Sequence, residues 1–350
     1  MVPDGFGSTE GGVDLAVRAA SADGGPITVR ELVELALYHP AGGFYVSNGR
    51  AGRRGDFITS PEVGLLFGAV VAQALDGWWL EAGRPEVFEV VEVGAGSGSL
   101  ARSVRAARPE CAAALRLVLV EVSARQRALH PVDDPSVVSR SIVPDGPGSR
   151  VVLANELLDN LPFGLLERTA DGWAEVCIGV EDDELIEVLG ASGAAPLGDA
   201  AIGARVPLQG DAAAWVQDAI ALAGTGGHVV AIDYASTTTE LAARPWTEWV
   251  RTYRGHARGS SPLEALGRQD ITCEVAVDQL PPPSSNRSQA EWLRAHGIEE
   301  LVADGRAIWQ ERAAIGDLAA VRARSRITEA EALLDPAGLG AFRVLEWEGR

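Results

Sequence analysis

The chain has 350 residues, 47% of them hydrophobic, and its 49 acidic against 30 basic residues give a formal net charge of −19. That length allows a large core, as one elaborated domain or two lobes. The acidity would repel nucleic acid and anionic lipid and steer a cationic partner, but the weightier reading is that it simply keeps the protein soluble. No apolar run approaches the roughly 20 residues of a membrane-spanning helix. All basic residues are arginine. Cys111, Cys177 and Cys273 are odd in number and far apart. They read as reduced, buried thiols of a cytoplasmic protein, not as a disulfide framework or zinc site. The first residues lack a basic region followed by an apolar run, so no secretory signal is expected.

Residues 1–26 are rich in Gly, Ala and Asp and are expected to be disordered or loosely attached. In the next segment, 27–85, Thr28 with Glu31 three places on predicts a capping box. The helix it opens carries Val29, Leu32, Val33, Leu35 and Ala36 and stops near Tyr38-His39-Pro40. A glycine-rich stretch from Ala41 to Gly55 leads into Asp56–Glu62. There Ser60 is expected to cap a helix with Pro61 at its first position, running through Leu65, Phe67, Val70 and Leu75 to Trp78-Trp79.

Residues 86–162 hold the stretch around which the chain is organised. Phe88–Val93 is β-branched and apolar, as a strand buried on both faces of a parallel sheet is. Gly94, Gly96 and Gly98 follow as a tight turn, and Leu100–Arg105 opens a helical pattern. Strand, glycine turn and helix N-terminus make a site for a ligand that approaches the backbone closely. Glu92 sharpens the choice of ligand: a carboxylate there repels a pyrophosphate and attracts the amino group and sulfonium of S-adenosylmethionine. A dinucleotide fingerprint would place its third glycine at Ser99, which keeps NAD as the less favoured alternative. The next strand, Leu115–Val120, ends in Glu121, placed to accept hydrogen bonds from ribose hydroxyls.

Beyond a turn-rich stretch, Val151–Ala154 is another buried strand and runs into Asn155-Glu156-Leu157-Leu158-Asp159-Asn160-Leu161-Pro162. Residues 163–210 alternate apolar and polar and suggest an inserted antiparallel lobe. A helix near Ala213–Ala223, a strand at Val229–Tyr234, a mixed insertion over 245–290, a hinge or linker at Pro281–Ser285 and a closing strand at Phe342–Trp347 complete the remainder, 211–350. Strand–helix alternation gives an α/β parallel sheet. In such sheets ligands lie outside the carboxyl ends of the strands, where Glu92, Glu121, Asn155-Glu156 and Asp233-Tyr234 fall. If a helix starts after Asn155, Glu156 and Asp159 share one face and form a two-carboxylate clamp; the equally weighted alternative is an N-cap with a first-turn acid. No histidine pair or other metal spacing is present, so no metal is expected.

The succession Tyr38-His39-Pro40, Gly43-Phe44-Tyr45, Gly55–Glu62, Glu92–Gly98, Asn155–Pro162, Tyr253-Arg254-Gly255-His256 and Gln269-Asp270-Ile271-Thr272 resembles the MidA family of S-adenosylmethionine-dependent methyltransferases, which includes a mitochondrial complex I assembly factor. The resemblance spans about residues 27 to 347. It implies an α/β, Rossmann-like seven-stranded class I methyltransferase sheet with an N-terminal helical lid and an inserted antiparallel substrate lobe, S-adenosyl-L-methionine as cofactor, and a protein arginine as methyl acceptor. Glu92, Gly94, Gly96, Gly98, Glu121, Thr59, Ser60 and Asn155 are expected to hold the cofactor. Glu156, Asp159, Asn155 and His256 are expected on the acceptor side, with Asp270 a weaker candidate, and Asp56–Glu62 would fold over the site. The partner is a cationic protein, peptide or small-molecule acceptor, neither nucleic acid nor membrane, and a homodimer is the oligomer to test. The alternatives are a small-molecule O- or N-methyltransferase and a non-catalytic assembly chaperone that keeps the cofactor fold.

Overall fold

The computed structural model describes residues 12–47, 59–146, 148–193, 200–255 and 257–350. Its central feature is a seven-stranded sheet of β1 (Phe88–Val93), β2 (Leu115–Val120), β3 (Val137–Arg140), β4 (Val151–Asn155), β5 (His228–Asp233), β6 (Ser285–Ser288) and β7 (Arg343–Glu348). The order is β6-β7-β5-β4-β1-β2-β3. β7 runs antiparallel to β5 and β6, and the remaining pairings are parallel. Alternation along β1 explains why it sits at the centre. Val90 packs with Phe67, Leu75 and Leu100 on one face, and Val91 with Val216 and Ala219 on the other.

The capping box at Thr28 and Glu31 forms as the spacing dictates, and opens the helix Val29–Tyr38. The helix expected from Ser60 to Trp79 divides into Ser60–Val63 and Leu65–Glu81. Thr59, not Ser60, is the N-cap residue of the first piece, without a side-chain capping bond. Gly64 interrupts because the Glu329 carboxylate lies against it, where a side chain would stand, and accepts the Leu66 N–H at 2.8 Å. A distant acid therefore caps the second helix. The hinge expected at Pro281–Ser285 is instead docked on the sheet edge. Ser284 N–H donates to the Glu346 carbonyl at 2.8 Å, Trp347 Nε1 donates to the Pro281 carbonyl at 2.9 Å, and β6 follows at once.

Residues Gly12–Gly24, expected to be loose, form a helix that buries Val13 and Val17 completely enough to join a core. Composition missed it because two apolar contacts decide the matter, not average polarity. Residues 1–11 lie outside the described residues. The 163–210 lobe is antiparallel: Gly164–Thr169, Gly172–Glu181, Glu184–Gly193 and Arg205–Leu208 pair with one another, and Ile27–Thr28 adds a further strand. Leu32, Phe44, Phe163, Ile178, Trp249 and Ile271 share one core. The N-terminal segment, the lobe and the 245–290 insertion thus form a single body over the sheet. Cys111, Cys177 and Cys273 are buried and free of disulfides. Among the described residues no helix is long and apolar enough to cross a membrane.

Candidate active site

A cavity of about 450 Å³ opens at the carboxyl ends of β1, β2 and β4. Its floor is the turn after β1. Gly94, Gly96 and Gly98 all have positive φ (72°, 53° and 80°), which glycine adopts without the Cβ penalty. Gly94 and Gly96 line the cavity. Gly98 does not; a Cβ on it would sit 3.1 Å from Pro131 Cδ and 3.2 Å from Leu119 Cδ1, so it packs the turn against the sheet. The Gly96 peptide is gripped on both sides. Its N–H donates to Glu121 Oε2 at 3.0 Å, and its carbonyl accepts from His130 Nε2 at 2.9 Å. His130 Nδ1 lies 2.8 Å from Ser139 Oγ; Nε2 is the donor because a carbonyl can only accept, and burial lowers the pKa of the ring.

The two predicted acids both reach the cavity. Glu121 Oε1 also accepts the Ser123 N–H at 2.8 Å, and each oxygen retains acceptor capacity for a ligand hydroxyl. Burial raises its pKa, opposed by the Ser123 and Gly96 amides. Burial pushes Glu92 up to about 8; Arg102 opposes this only in part, and Glu121 adds to it. An incoming positive charge would let Glu92 ionise.

Thr59, Pro61 and Glu62 form one wall. Ser99 Oγ donates to Glu62 Oε1, and Arg102 ties Ser97 and Ser99 together, its Nη1 donating to the Ser97 carbonyl at 2.8 Å. Ser60 faces elsewhere: its hydroxyl donates to Gln289 Oε1 at 2.9 Å, while its backbone N–H bonds the Glu156 carboxylate. Opposite, Ile142 and Val143, 71% and 39% exposed, give an apolar rim together with Trp215. Sequence reasoning passed over these three; the only signal was an apolar pair inside a turn-rich stretch.

The turn after β4 departs from the expected clamp. No helix begins at Asn155. Glu156 takes a left-handed conformation (φ 52°) and Leu158–Asn160 makes a single tight turn. Glu156 and Asn155 line the cavity, with Asn155 Nδ2 donating to Glu156 Oε1 at 3.0 Å. Asp159 does not line it. It is buried in a group with Asp233 and Asp270, because the positive φ at Glu156 rotates the turn away from helical spacing. Asp233 anchors that turn, its Oδ2 accepting the Leu158 N–H at 2.8 Å and its Oδ1 the Tyr234 N–H at 2.9 Å. Burial, then Asp233, pushes Glu156 up to about 8, opposed by Asn155 and the Ser60 amide. Burial and three neighbouring acids hold Asp159 well above the usual carboxylate range. His256 and Asp56 to Ile58 lie outside the described residues. Among the described residues no group of three or more His, Cys, Asp and Glu is arranged to hold a metal.

These residues suit a nucleoside bearing a cationic amino-acid tail. Gly94 and Gly96 leave room for a ligand against the backbone, the buried Glu92 and Glu121 can meet a cation or hydroxyl groups, and Ile142, Val143 and Trp215 offer apolar surface. Fold and site define an S-adenosylmethionine-dependent methyltransferase. The family model described as "Putative S-adenosyl-L-methionine-dependent methyltransferase" matches residues 70–295, and the chain belongs to that family. It is 31% identical over 295 residues to the mouse "Protein arginine methyltransferase NDUFAF7, mitochondrial", covering 73% of this chain and 66% of the relative. The rat protein of that name is 30% identical over 321 residues, 79% of this chain and 72% of the relative. A COG1565 superfamily member from Burkholderia thailandensis, solved bound to S-adenosyl-homocysteine, superposes with a TM-score of 0.81 at 25% identity, over 99% of this chain and 95% of that one.

Proposed function

We propose that the protein transfers a methyl group to a side-chain nitrogen of arginine in a protein or peptide. The observation that carries this reading is the place of Glu156, whose carboxyl group lines the cavity and accepts from Asn155 Nδ2 at 3.0 Å. The names of the mouse and rat relatives support it. Gly94 and Gly96 would admit the cofactor to the backbone, Glu92 would meet its amino-acid end, and Glu121 its ribose. The bound cofactor supplies a methyl carbon on a positive sulfur, and the electron pair of the broken C–S bond leaves with that sulfur.

The chain's own task is alignment and proton removal. A guanidinium, with a pKa above about 12, is a poor nucleophile until it gives up a proton. Glu156 would localise its charge, point one nitrogen at the methyl carbon and take the N–H proton as the new N–C bond forms. A bound guanidinium favours the ionised form of Glu156, so the acceptor itself brings the base into its working state. Alignment of this kind supplies on the order of 7–11 kcal/mol of barrier lowering. In this reading Thr59, Pro61 and Glu62 cover the cofactor and exclude water.

Incubation with radiolabelled cofactor and arginine-containing peptides tests the reading. Glu156→Gln is expected to abolish transfer and to leave cofactor affinity within about threefold, since a neutral amide keeps the shape but not the base. Wild-type turnover in that variant, or no label in any arginine-containing peptide, would refute it.

A further inference from the structure

Tyr38 and Tyr45 both line the cavity that holds Glu156, although they come from a different body of the fold. Their rings stack with centroids 5.8 Å apart and planes 21° apart, and the buried Phe44 packs its edge against Tyr45 at 5.1 Å. Each hydroxyl is tied down. Tyr38 donates to the Asn160 carbonyl at 3.0 Å, and Tyr45 donates to Asp270 Oδ1 at 3.0 Å, the same oxygen that accepts from Asn160 Nδ2 at 3.1 Å. The rings are therefore fixed to the turn that carries Glu156. Behind them lie the buried acids Asp159 and Asp270. Asp159 is 4% exposed and its Oδ1 is buried without a hydrogen-bond partner among the described residues. Burial and then Asp270 push both phenols above their ordinary range, so the rings stay neutral.

We propose that Tyr38 and Tyr45 form the specificity-determining wall of the acceptor site, selecting a flat guanidinium over a tetrahedral ammonium or a neutral hydroxyl. A planar, weakly hydrated cation can lie on an aromatic face while its in-plane N–H groups reach a carboxylate such as Glu156; a compact ammonium cannot do both as well. The wall is pre-organised, because both hydroxyls are already bonded and no ring must be ordered on binding. This inference rests on the arginine reading and adds to it which residues distinguish arginine.

The probes are N-acetyl-arginine amide and N-acetyl-lysine amide, titrated by calorimetry into the full chain loaded with S-adenosylhomocysteine. Wild type is expected to prefer the arginine probe. Tyr38→Leu and Tyr45→Leu are each expected to weaken arginine binding on the order of tenfold, the worth of a desolvated cation–ring contact, and to shift S-adenosylhomocysteine affinity by no more than about threefold. Tyr38→Phe and Tyr45→Phe should recover most of that loss, since the ring remains. Melting temperatures and S-adenosylhomocysteine affinity of the same variants report folding separately. Equal losses in the Phe and Leu variants, or no loss in either, would overturn the wall. Failure of loaded wild type to bind the arginine probe at all would take down the arginine reading itself, an outcome distinct from the first two.

Discussion

If Glu92 faces the cofactor's cationic amino-acid end, binding must release a proton. In the free protein its carboxyl stands at about 8, held there chiefly by burial. At pH 7 about nine molecules in ten then carry the proton. A bound cation returns the group towards its ordinary value near 4.5, so affinity rises with pH between those limits. The slope approaches about 1.36 kcal/mol, or tenfold, per pH unit, and gives an increase of about 50-fold from pH 6 to pH 8. The cofactor's own amino group titrates near about 8, so the relevant quantity is the difference between wild type and Glu92→Gln. Calorimetry at pH 7 in two buffers of different ionisation enthalpy should show close to one more proton released by wild type than by the variant. Equal release, or the same pH slope in both, would refute the placement of Glu92 at a cation.

Glu121→Ala should weaken S-adenosylmethionine binding by about 1–3 kcal/mol, the worth of hydrogen bonds to a charged group; unchanged calorimetric affinity removes Glu121 from the site. Glu156→Gly should abolish transfer, because the base leaves with the side chain; label transfer at the wild-type rate would contradict that. Gly68→Ala should cost about 1–3 kcal/mol despite alanine's better helix propensity. A Cβ there meets the Ser103 side chain and comes within 2.8 Å of its backbone carbon, forcing the helices Leu65–Glu81 and Ser99–Ala107 apart. The unliganded protein should lose stability as pH rises from about 4.5 to 8: Glu92 and Glu156 hold their protons more tightly folded than unfolded, so their contribution is complete below the unfolded value and gone above the folded one. Melting curves of Glu92→Gln should show a shallower fall than wild type across that interval.

Local signals carried the glycine turn and the acids beside it. Val90 and Val91 on opposite faces, glycines in a tight turn and an acid closing the second strand are consequences of near neighbours in the chain, and periodicity displays them. The capping box at Thr28 was legible for the same reason. The turn after Val151–Asn155 was not. Glu156 and Asp159 are three apart, which predicts one face only if a helix forms; a positive φ at Glu156, enforced by Asp233 binding the turn's amides from another strand, sends Asp159 elsewhere. Gly64 divides a helix whose local sequence reads as continuous, because Glu329 approaches from 265 positions along the chain. Tyr38 and Tyr45 belong to the motifs that carry the resemblance, yet nothing in their spacing shows that they line one cavity with Glu156.

The roof bearing the tyrosines draws its support from three separated stretches, whereas the glycine floor is one unbroken run anchored in the main sheet. Drift in the roof can therefore retune which molecule is modified while the grip on the donor is left alone. Relatives that diverge in substrate would then be expected to vary at these upper positions and to keep Glu92, Gly96 and Glu121.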